Sequence, residues 1–267
     1  KTAYHVSTQQ TSPHCAANET RVDEYVRHFK KDCWALPKQV RYVVTDAYYT
    51  KTLITEAILE QGLHQIGKLR HDANLRYLYQ GPQKAKGRPR QYDGKFKLGE
   101  TARLSFVAHQ EGVDIYTAVV NCVHLKQAIR LVYVEKKLAQ GTKRALLFST
   151  DTSLDALSLY RYYQARFQIE FLFRDAKQFT GLGDCQARSE QALYNHFNAS
   201  FTALNLLKWQ DRQMSPQRTP ISIASWKRRC FNVLFMERIF SNSAFDLSFI
   251  KSTPAYHDLC NFGEIKY

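Results

Sequence analysis

The chain of 267 residues is 44% hydrophobic and 23% charged, a balance that is typical of a folded globular protein and excludes an intrinsically disordered one. Its 38 Lys and Arg residues outnumber its 24 Asp and Glu residues, which gives a formal net charge of +14. So basic a composition favours a polyanionic partner, of which nucleic acid is the commonest, over a cationic surface kept only for solubility.

Several classes of protein are disfavoured by simple patterns. No run of about 20 apolar residues is present, so no membrane span is predicted. Six scattered cysteines without a CxxC pair indicate reduced thiols in the cytoplasm, and neither a disulfide framework nor a zinc site. No basic strand pattern accompanies the three tryptophans, which are therefore predicted to be core residues: Trp34, Trp209 and Trp226.

The first 70 residues alternate between strand and helix patterns. In chain order the predicted elements are a strand at 4–9, a helix at 18–31, a buried strand at 40–45, a second helix and a strand at 63–69. The second helix has an apolar face formed by Leu53, Ile54, Ala57 and Ile58. Asn18 is the predicted N-cap of the first helix, and Gly62 is the predicted stop of the second. This β-α-β-α-β order favours a sheet with parallel strands that are covered by helices.

The pattern changes to one of strands between residues 72 and 148. A segment at 81–97 holds six basic residues and one acid, Asp93, and its three Gly and two Pro predict a loop. Strand-like runs with partly alternating polarity then follow at 102–108, 113–125, 128–135 and 144–149. A β-rich insertion with an exposed basic loop is therefore predicted, followed by a mainly helical region.

The basic loop has three interpretations. In the first, four basic side chains contact DNA phosphates: Lys84, Lys86, Arg88 and Arg90. We favour this interpretation because Lys and Arg in loops mostly follow the nucleic-acid backbone. In the second, residues 87–90 (GRPR) resemble an AT-hook core, whose arginines enter the minor groove of A·T tracts. In the third, the charges are simply solvated.

A long helix is predicted to begin near Thr152, because the spacing to Asp155 is that of a capping box. At about 100° per residue, a tyrosine, a glutamate and two or three cations fall within an arc of about 60°. These residues are Tyr163, Arg166, Glu170 and Lys177, with Arg174 beside them. The opposite, apolar arc must face a core. Taken alone, this polar face is a solvated surface stabilised by ion pairs four residues apart.

The polar face resembles the Y-R-E-K signature of the insertion-sequence-four family of DDE transposases, in the spacing Tyr163-x2-Arg166-x3-Glu170-x6-Lys177. The block VVTDAYYTK at 43–51 is similar to the segment around that family's second catalytic aspartate, here Asp46. An aspartate directly after a buried strand suits a metal ligand in an open α/β sheet. Taken alone, Asp46 is a turn or N-cap residue.

The resemblance implies an α/β fold with a ribonuclease-H-like core, a β-rich insertion and a helical C-terminal region. The expected segments are 1–71 for the first part of the core, 72–148 for the insertion, 149–210 for the second part with the catalytic-glutamate helix, and 211–267 for a C-terminal helical tail. The predicted opening strand carries no acid that could serve as the family's first aspartate. The core is therefore expected to be incomplete at its N-terminus.

The resemblance also implies a DNA transposase that cleaves phosphodiesters and transfers strands with two Mg2+ ions, or Mn2+. Asp46 and Glu170 would be the catalytic, metal-binding carboxylates. The DNA backbone would be contacted by Tyr163, Arg166, Lys177 and Arg174. The expected partners are double-stranded DNA at the transposon ends and the target, bound by a homodimer at the nucleoid. A non-catalytic DNA-binding remnant and a ribonuclease-H-like nuclease with another role stay open.

Overall fold

A computed structural model describes residues 3–11, 18–214, 222–241 and 247–264. The fold is mixed α/β with a central sheet and helices. The chain divides into two compact units. The first unit contains Thr11–Phe167, and the second contains Thr2–Gln10 together with Gln168–Tyr267.

The first unit is built on a single sheet. Its strands are β1 (Tyr42–Val44), β2 (His64–Leu69), β3 (Leu75–Leu78), β4 (Tyr92–Lys95), β5 (Ser105–Gln110), β6 (Val113–Cys122), β7 (Gln127–Leu138) and β8 (Gly141–Ser149). Its helices are α1 (Arg21–Asp32), α2 (Thr52–Glu60) and α3 (Ala156–Ala165), with 3-10 turns at Cys33–Ala35 and Ala47–Tyr49.

The sheet has eight strands in the order β1-β2-β8-β7-β6-β3-β4, and β5 pairs with β6. Only β1 and β2 are parallel, and the other pairs are antiparallel. Because β8 pairs with β2, the strands of 72–148 extend the sheet that holds β1, whereas a β unit outside the core was expected. Without β8, the side of β2 that faces away from β1 would have unpaired backbone groups. An unpaired edge strand is a template for another strand, which explains the pairing of β2 with β8.

The predicted strands and helices between residues 40 and 69 are confirmed as β1, α2 and β2, and the four later runs as β5 to β8. Two strands were missed, and β4 lies inside the predicted 81–97 loop. The first helix begins at Arg21, and Asn18 is not its N-cap. Thr20 caps it instead, since the Thr20 N–H donates to Asp23 Oδ2 at 2.8 Å in a capping box.

Apolar side chains cover both faces of this sheet. Neighbouring residues on a strand point to opposite faces, so β7 contributes Leu131 to one cluster and Val132 to the other. The second cluster also contains Leu159 of α3, which is fully buried. The helix α3 therefore packs on the sheet face that also carries Tyr42 and Val44 of β1.

The predicted long helix is interrupted. Its first part, α3, begins at Ala156, where the Asp155 carboxylate accepts the Ser158 N–H at 2.9 Å, and the predicted start near Thr152 is wrong. The helix ends at Ala165, because the next two N–H groups bond three residues back, as the Arg166 N–H does to Tyr163 O at 3.1 Å. A new helix begins at Gln168. The predicted continuous helix is therefore two helices, α3 and α4.

The second unit is helical in its C-terminal part, as predicted. Its helices are α4 (Gln168–Phe179), α5 (Glu190–Met214), α6 (Ile223–Ser241), α7 (Leu247–Lys251) and α8 (Pro254–Cys260). Leu172 and Ala176 of α4 pack with Phe201 and Leu204 of α5 in a buried cluster. In the described part of the chain, no helix has the length and apolar character needed to cross a membrane.

The predicted opening strand at 4–9 is wrong, since residues 3–11 form no strand. This segment is held instead by two asparagines of α5 that lie seven residues, or about two turns, apart. Asn205 accepts the His5 N–H at 2.9 Å and donates to the His5 carbonyl at 2.7 Å. Asn198 forms the same pair of bonds with Thr8, at 3.0 and 2.9 Å. Side-chain amides therefore take the place of a partner strand.

Two of the three tryptophans are not core residues, which corrects the prediction. Trp226 is buried, and its indole N–H donates to Asp211 at 2.6 Å. Trp34 is 82% exposed in the 3-10 turn after α1, and Trp209 is 59% exposed on α5. Hydrophobic character alone misassigns such residues, because much of a protein surface is apolar.

A hydrogen bond from Tyr42 of β1 to Asp151 connects this strand with the segment after β8. The Tyr42 hydroxyl donates to one carboxylate oxygen at 2.8 Å, and Ser153 donates to the other from its N–H and its hydroxyl. Burial by itself would raise the pKa of Asp151, but the hydrogen bonds from Ser153 and Tyr42 outweigh it and lower this pKa to about 2. Burial and the same bond raise the pKa of Tyr42 to about 12.

Removing the Tyr42 hydroxyl should make the Asp151 carboxyl group easier to protonate. In Tyr42→Phe we expect the pKa of Asp151 to rise towards its ordinary value of 3.8, measured by NMR titration of the carboxyl carbon. Because the folded pKa lies below the unfolded one, Asp151 stabilises the fold above about pH 4, and this contribution is lost as the pH falls towards 2. Tyr79→Phe, which removes a hydroxyl bonded to Pro82, is the control. An unchanged Asp151 pKa in Tyr42→Phe would contradict this account.

Candidate active site

Asp46 lies two residues beyond the end of β1 and is exposed at the carboxyl end of the parallel strand pair. Its Oδ1 accepts the Ala47 N–H at 2.6 Å, and its carbonyl accepts the Tyr49 N–H at 3.0 Å. Asp46 therefore caps the 3-10 turn Ala47–Tyr49, as its interpretation as a turn residue predicted. Its Oδ2 makes no hydrogen bond with the residues that the structure describes, so the carboxylate can still bind a cation.

Gln65 of β2 holds the turn around Asp46, and its side chain is fully buried at 0% exposure. Its Nε2 donates to Thr45 Oγ1 at 2.9 Å and to the Tyr49 carbonyl at 3.1 Å, on either side of Asp46. Its Oε1 accepts from the Thr55 hydroxyl at 2.6 Å. Gln65 was missed by the sequence analysis. The sequence carries no signal for it, because β2 also contains the polar residues His64 and Lys68.

Tyr163 and Arg166 lie at the end of α3 in the same unit as Asp46. Burial raises the pKa of Tyr163, the Arg166 charge lowers it, and the negative charge of Asp46 raises it further. The phenol and the carboxylate are therefore close enough to interact electrostatically. The Arg166 guanidinium lies 5.8 Å from the centre of the Tyr163 ring. Two residues of the predicted motif thus lie beside each other in the unit that contains Asp46.

The other motif residues lie on α4, in the second unit. Glu170 is in its first turn, where a negative charge is favourable next to the helix N-terminus. Glu170 and Lys177 are exposed, whereas Leu172 on the opposite side is buried, as the pattern predicted. Arg174 is also exposed, pairs with the neighbouring Asp175 at 2.9 Å and lies 4.8 Å from the Phe171 ring. Ile169, which was expected to face the core, is 47% exposed.

The basic loop has a closed base and an exposed tip. Gln83 Nε2 donates to the Arg90 carbonyl and Gln83 Oε1 accepts the Arg90 N–H, both at 2.8 Å. The residues between them include Lys84, Lys86 and Arg88, which are exposed and form no ion pair within the described residues. The tip therefore presents three cations that are available to an anion.

Arg90 differs from these three because it is held within the protein. Its guanidinium lies 4.5 Å from the Tyr79 ring centre and donates to Asp93. Asp93 also binds Arg103 at 2.7 Å, and Arg103 lies 4.0 Å from the Tyr77 ring centre. The single acid of the loop thus joins two arginines, one stacked on Tyr77 of β3 and the other on Tyr79, the residue after β3. Arg103 was missed because it lies outside the basic segment.

The donor atoms of the described residues indicate which metal ion this site could bind. Among the residues that the structure describes, no group of three or more His, Cys, Asp or Glu side chains is arranged to hold a metal ion. Asp46 supplies a single exposed carboxylate with one oxygen that accepts no hydrogen bond from described residues. Such a hard oxygen donor fits Mg2+, which often uses only one or two carboxylates and completes its shell with water and phosphate.

Comparison with known proteins gives three findings. The structure is similar to a piggyBac transposase in a synaptic complex with hairpin DNA, with a TM-score of 0.40 and 14% sequence identity. The similarity covers 91% of this chain and 45% of that one, so the chain spans less than half the length of that transposase. No curated protein matches the sequence. A family model described as Transposase DDE domain matches residues 2–206. Because this match covers most of the 267 residues, the chain belongs to the DDE transposase domain family.

Proposed function

We propose that this chain is part of an insertion-sequence transposase of the insertion-sequence-four family, with a ribonuclease-H-like core. It cleaves phosphodiesters at transposon ends and joins them to target DNA. Asp46 and Glu170 are its catalytic carboxylates. The DNA backbone is contacted by the remaining motif residues and by the basic loop, namely Tyr163, Arg166, Lys177, Arg174, Lys84, Lys86, Arg88 and Arg90.

The proposal also includes the organisation of the chain. The core is formed by 1–71 and 149–210, the β-rich insertion by 72–148 and the helical tail by 211–267. A homodimer binds double-stranded DNA at the nucleoid. Membership of the DDE transposase domain family supports a DNA substrate, and the net charge of +14 is consistent with one.

The observation that carries the proposal is the group around Asp46. In open α/β sheets, ligands bind outside the carboxyl ends of the strands, and Asp46 lies there, just after β1. Tyr163 is within electrostatic range of this carboxylate, and Arg166 lies beside Tyr163. A carboxylate for a metal, a cation for a phosphate and a hydrogen-bond donor therefore belong to one group.

Two divalent cations, Mg2+ or Mn2+, suit this chemistry. Asp46 would hold metal through its carboxylate, and Glu170 would supply a second carboxylate. When bound, the metal lowers the pKa of the attacking hydroxyl and stabilises the leaving oxygen. The planar Arg166 guanidinium can bind two phosphate oxygens and so orient the DNA strand. The Tyr163 hydroxyl is protonated at neutral pH, since the ordinary pKa of tyrosine is 10.0 and burial raises the pKa of Tyr163, and it can donate to a phosphate oxygen.

The test is a cleavage assay on labelled terminal DNA from either side of the gene, with Mg2+ or with EDTA. The same assay is run on a version of the protein that is preceded by a strand carrying an aspartate. If the chain is a transposase, we expect at least one of the two proteins to nick the DNA, and to do so only with Mg2+. DNA binding without nicking in both proteins would favour the non-catalytic remnant. Strong nicking by residues 1–267 alone would mean that the first aspartate lies among them.

The basic loop should determine how steeply DNA affinity falls with salt. Replacing its four predicted contacts together by Gln should flatten the slope of log K against log salt by about three to four units, because each phosphate contact contributes about 0.9. These residues are Lys84, Lys86, Arg88 and Arg90. Replacing the three tip residues without Arg90 should give a change of about 2.7 units.

A matched control removes three exposed lysines of the β7–β8 hairpin, namely Lys136, Lys137 and Lys143. Both triple variants lower the net charge by three, so a difference in slope reports the position of the charges. Fluorescence anisotropy over a range of salt concentrations measures it. Equal slopes in the loop variant and the control would return the loop to the interpretation as a solvated charge run.

A further inference from the structure

Tyr48 is an exposed aromatic residue in the 3-10 turn that follows Asp46. It is 51% exposed, yet its ring has fixed neighbours. The Tyr49 ring lies 5.3 Å away at an angle of 83°, and the Tyr25 ring of α1 lies 6.2 Å away at 74°. Because edge-to-face contacts between aromatic rings are favourable, they hold the Tyr48 ring in place while half of it faces solvent.

Lys51 places a positive charge beside this ring. Its Nζ lies 4.9 Å from the centre of the Tyr48 ring, within the range of a cation–π contact. Lys51 forms no ion pair with any residue that the structure describes. The two side chains therefore offer an aromatic surface and an unneutralised ammonium group side by side.

The backbone that carries both residues is fixed relative to Asp46. The Tyr49 carbonyl accepts from the buried Gln65 amide at 3.1 Å, and the Thr50 hydroxyl donates to the Lys68 carbonyl of β2 at 3.0 Å. The end of the turn after Asp46 is thus bonded at two adjacent residues to β2, the strand beside β1. A group bound by Tyr48 and Lys51 would consequently lie next to whatever the Asp46 carboxylate binds.

Packing within the protein explains Tyr49 better than it explains Tyr48. Tyr49 is partly buried, its pKa is raised by that burial, and its ring lies 5.5 Å from Tyr25, so it joins the turn to α1. Tyr48 leaves about half of its aromatic ring in water, close in the chain to the charged residues Asp46 and Lys51. Such a ring gains free energy when a flat partner covers it, and nucleic-acid bases are covered by aromatic side chains in this way.

We propose that Tyr48 and Lys51 form a nucleotide contact on the rim of the candidate active site. The Tyr48 ring packs on the base or sugar next to the phosphate that Asp46 acts on, and the Lys51 ammonium binds a neighbouring phosphate. This inference rests on the proposed function, since it takes DNA as the ligand. It adds two positioning residues, which hold the strand and take no part in bond cleavage.

The test measures the affinity for terminal DNA and the fluorescence of 2-aminopurine placed beside the cleaved phosphate. Tyr48→Ala should weaken binding by about ten-fold, in keeping with the loss of one stacked base. Tyr48→Phe should retain most of the affinity and the wild-type 2-aminopurine signal, since the ring remains. Lys51→Met should flatten the salt slope by about 0.9, the contribution of one phosphate contact.

The matched controls are Tyr194→Ala, which removes a similarly exposed tyrosine from α5, and Lys137→Met on β7. Circular dichroism shows whether each variant is folded, and Lys51→Met tests the site even if Tyr48→Ala does not fold. If the wild-type protein has no affinity for DNA, the proposed function fails. If the wild type binds but the Tyr48 and Lys51 variants match their controls, only the nucleotide contact is overturned.

Discussion

Asp46→Asn is expected to abolish Mg2+-dependent nicking of terminal DNA while leaving DNA binding intact or slightly tighter. The asparagine carbonyl can still accept the Ala47 N–H, so the turn is preserved. The negative charge that attracts a divalent cation is lost, and a neutral amide is a weak ligand for Mg2+. The measurement is the nicking rate as a function of Mg2+ concentration, with binding followed by anisotropy. The nicking rate is measured with whichever protein nicks DNA, either residues 1–267 or the version preceded by a strand that carries an aspartate.

Three further variants separate the roles of the carboxylates. Asp72→Asn is the control, because Asp72 is an exposed aspartate of the first unit that pairs with Arg70. Asp46→Ala should additionally lower the free energy of unfolding by about 0.5–2 kcal/mol, as loss of a cap does. Normal nicking by Asp46→Asn would leave Asp46 only the role of a turn residue. Wild-type nicking by Glu170→Ala would remove Glu170 from the active site.

Elements with strong local patterns were predictable from the sequence. The β-branched run before Asp46 and the runs that form β5 to β8 satisfy the two-residue period and burial of strands. β4 was not predictable, because Tyr92–Lys95 has a loop-like composition and becomes a strand only by pairing with β3. Pairing between β2 and β8 is likewise non-local, so the extension of the core sheet had no local signal.

The break between α3 and α4 shows a second limit of predicting structure from the sequence. The apolar period continues across residues 166 and 167, so hydrophobic spacing alone predicts one helix. The tightened hydrogen bonds at Arg166 and Phe167 end α3 without a Gly or Pro to mark the position. The types of the motif residues could be read from the sequence, and Asp46, Tyr163 and Arg166 lie in the same unit. The single continuous helix that was predicted to carry both Arg166 and Glu170 was wrong, since the structure has two helices there.

The support of Asp46 was beyond the reach of sequence reasoning, because it is made by residues that are separated along the chain. Gln65 is 20 positions from Thr45 and 16 from Tyr49, the two residues that it bonds on either side of Asp46. A buried amide in a strand is a recognisable anomaly, since buried polar groups are normally hydrogen-bonded. Only the fold shows that Gln65 is buried and which partners it bonds.

Gln65→Leu is expected to be among the most destabilising single changes in the first unit. Leucine fills a similar volume but can neither donate to Thr45 and Tyr49 nor accept from Thr55. Because the groups of Thr45, Tyr49 and Thr55 would lose their hydrogen bonds to Gln65, the free energy of unfolding should fall by about 2–3 kcal/mol. The turn that carries Asp46 would also be less constrained. Loss of a supporting residue around a metal ligand typically weakens metal affinity or activity by about 10–100-fold.

Two measurements keep the stability effect apart from the effect on the site. Urea unfolding of Gln65→Leu, with the exposed Gln80→Leu as control, gives the change in stability. The Mg2+ concentration that supports half-maximal nicking, measured where both proteins are fully folded, reports the constraint on Asp46. We expect Gln65→Leu to need more Mg2+ and Gln80→Leu to behave like the wild type. A less stable Gln65→Leu protein with unchanged Mg2+ dependence would mean that Gln65 supports the sheet and does not position Asp46.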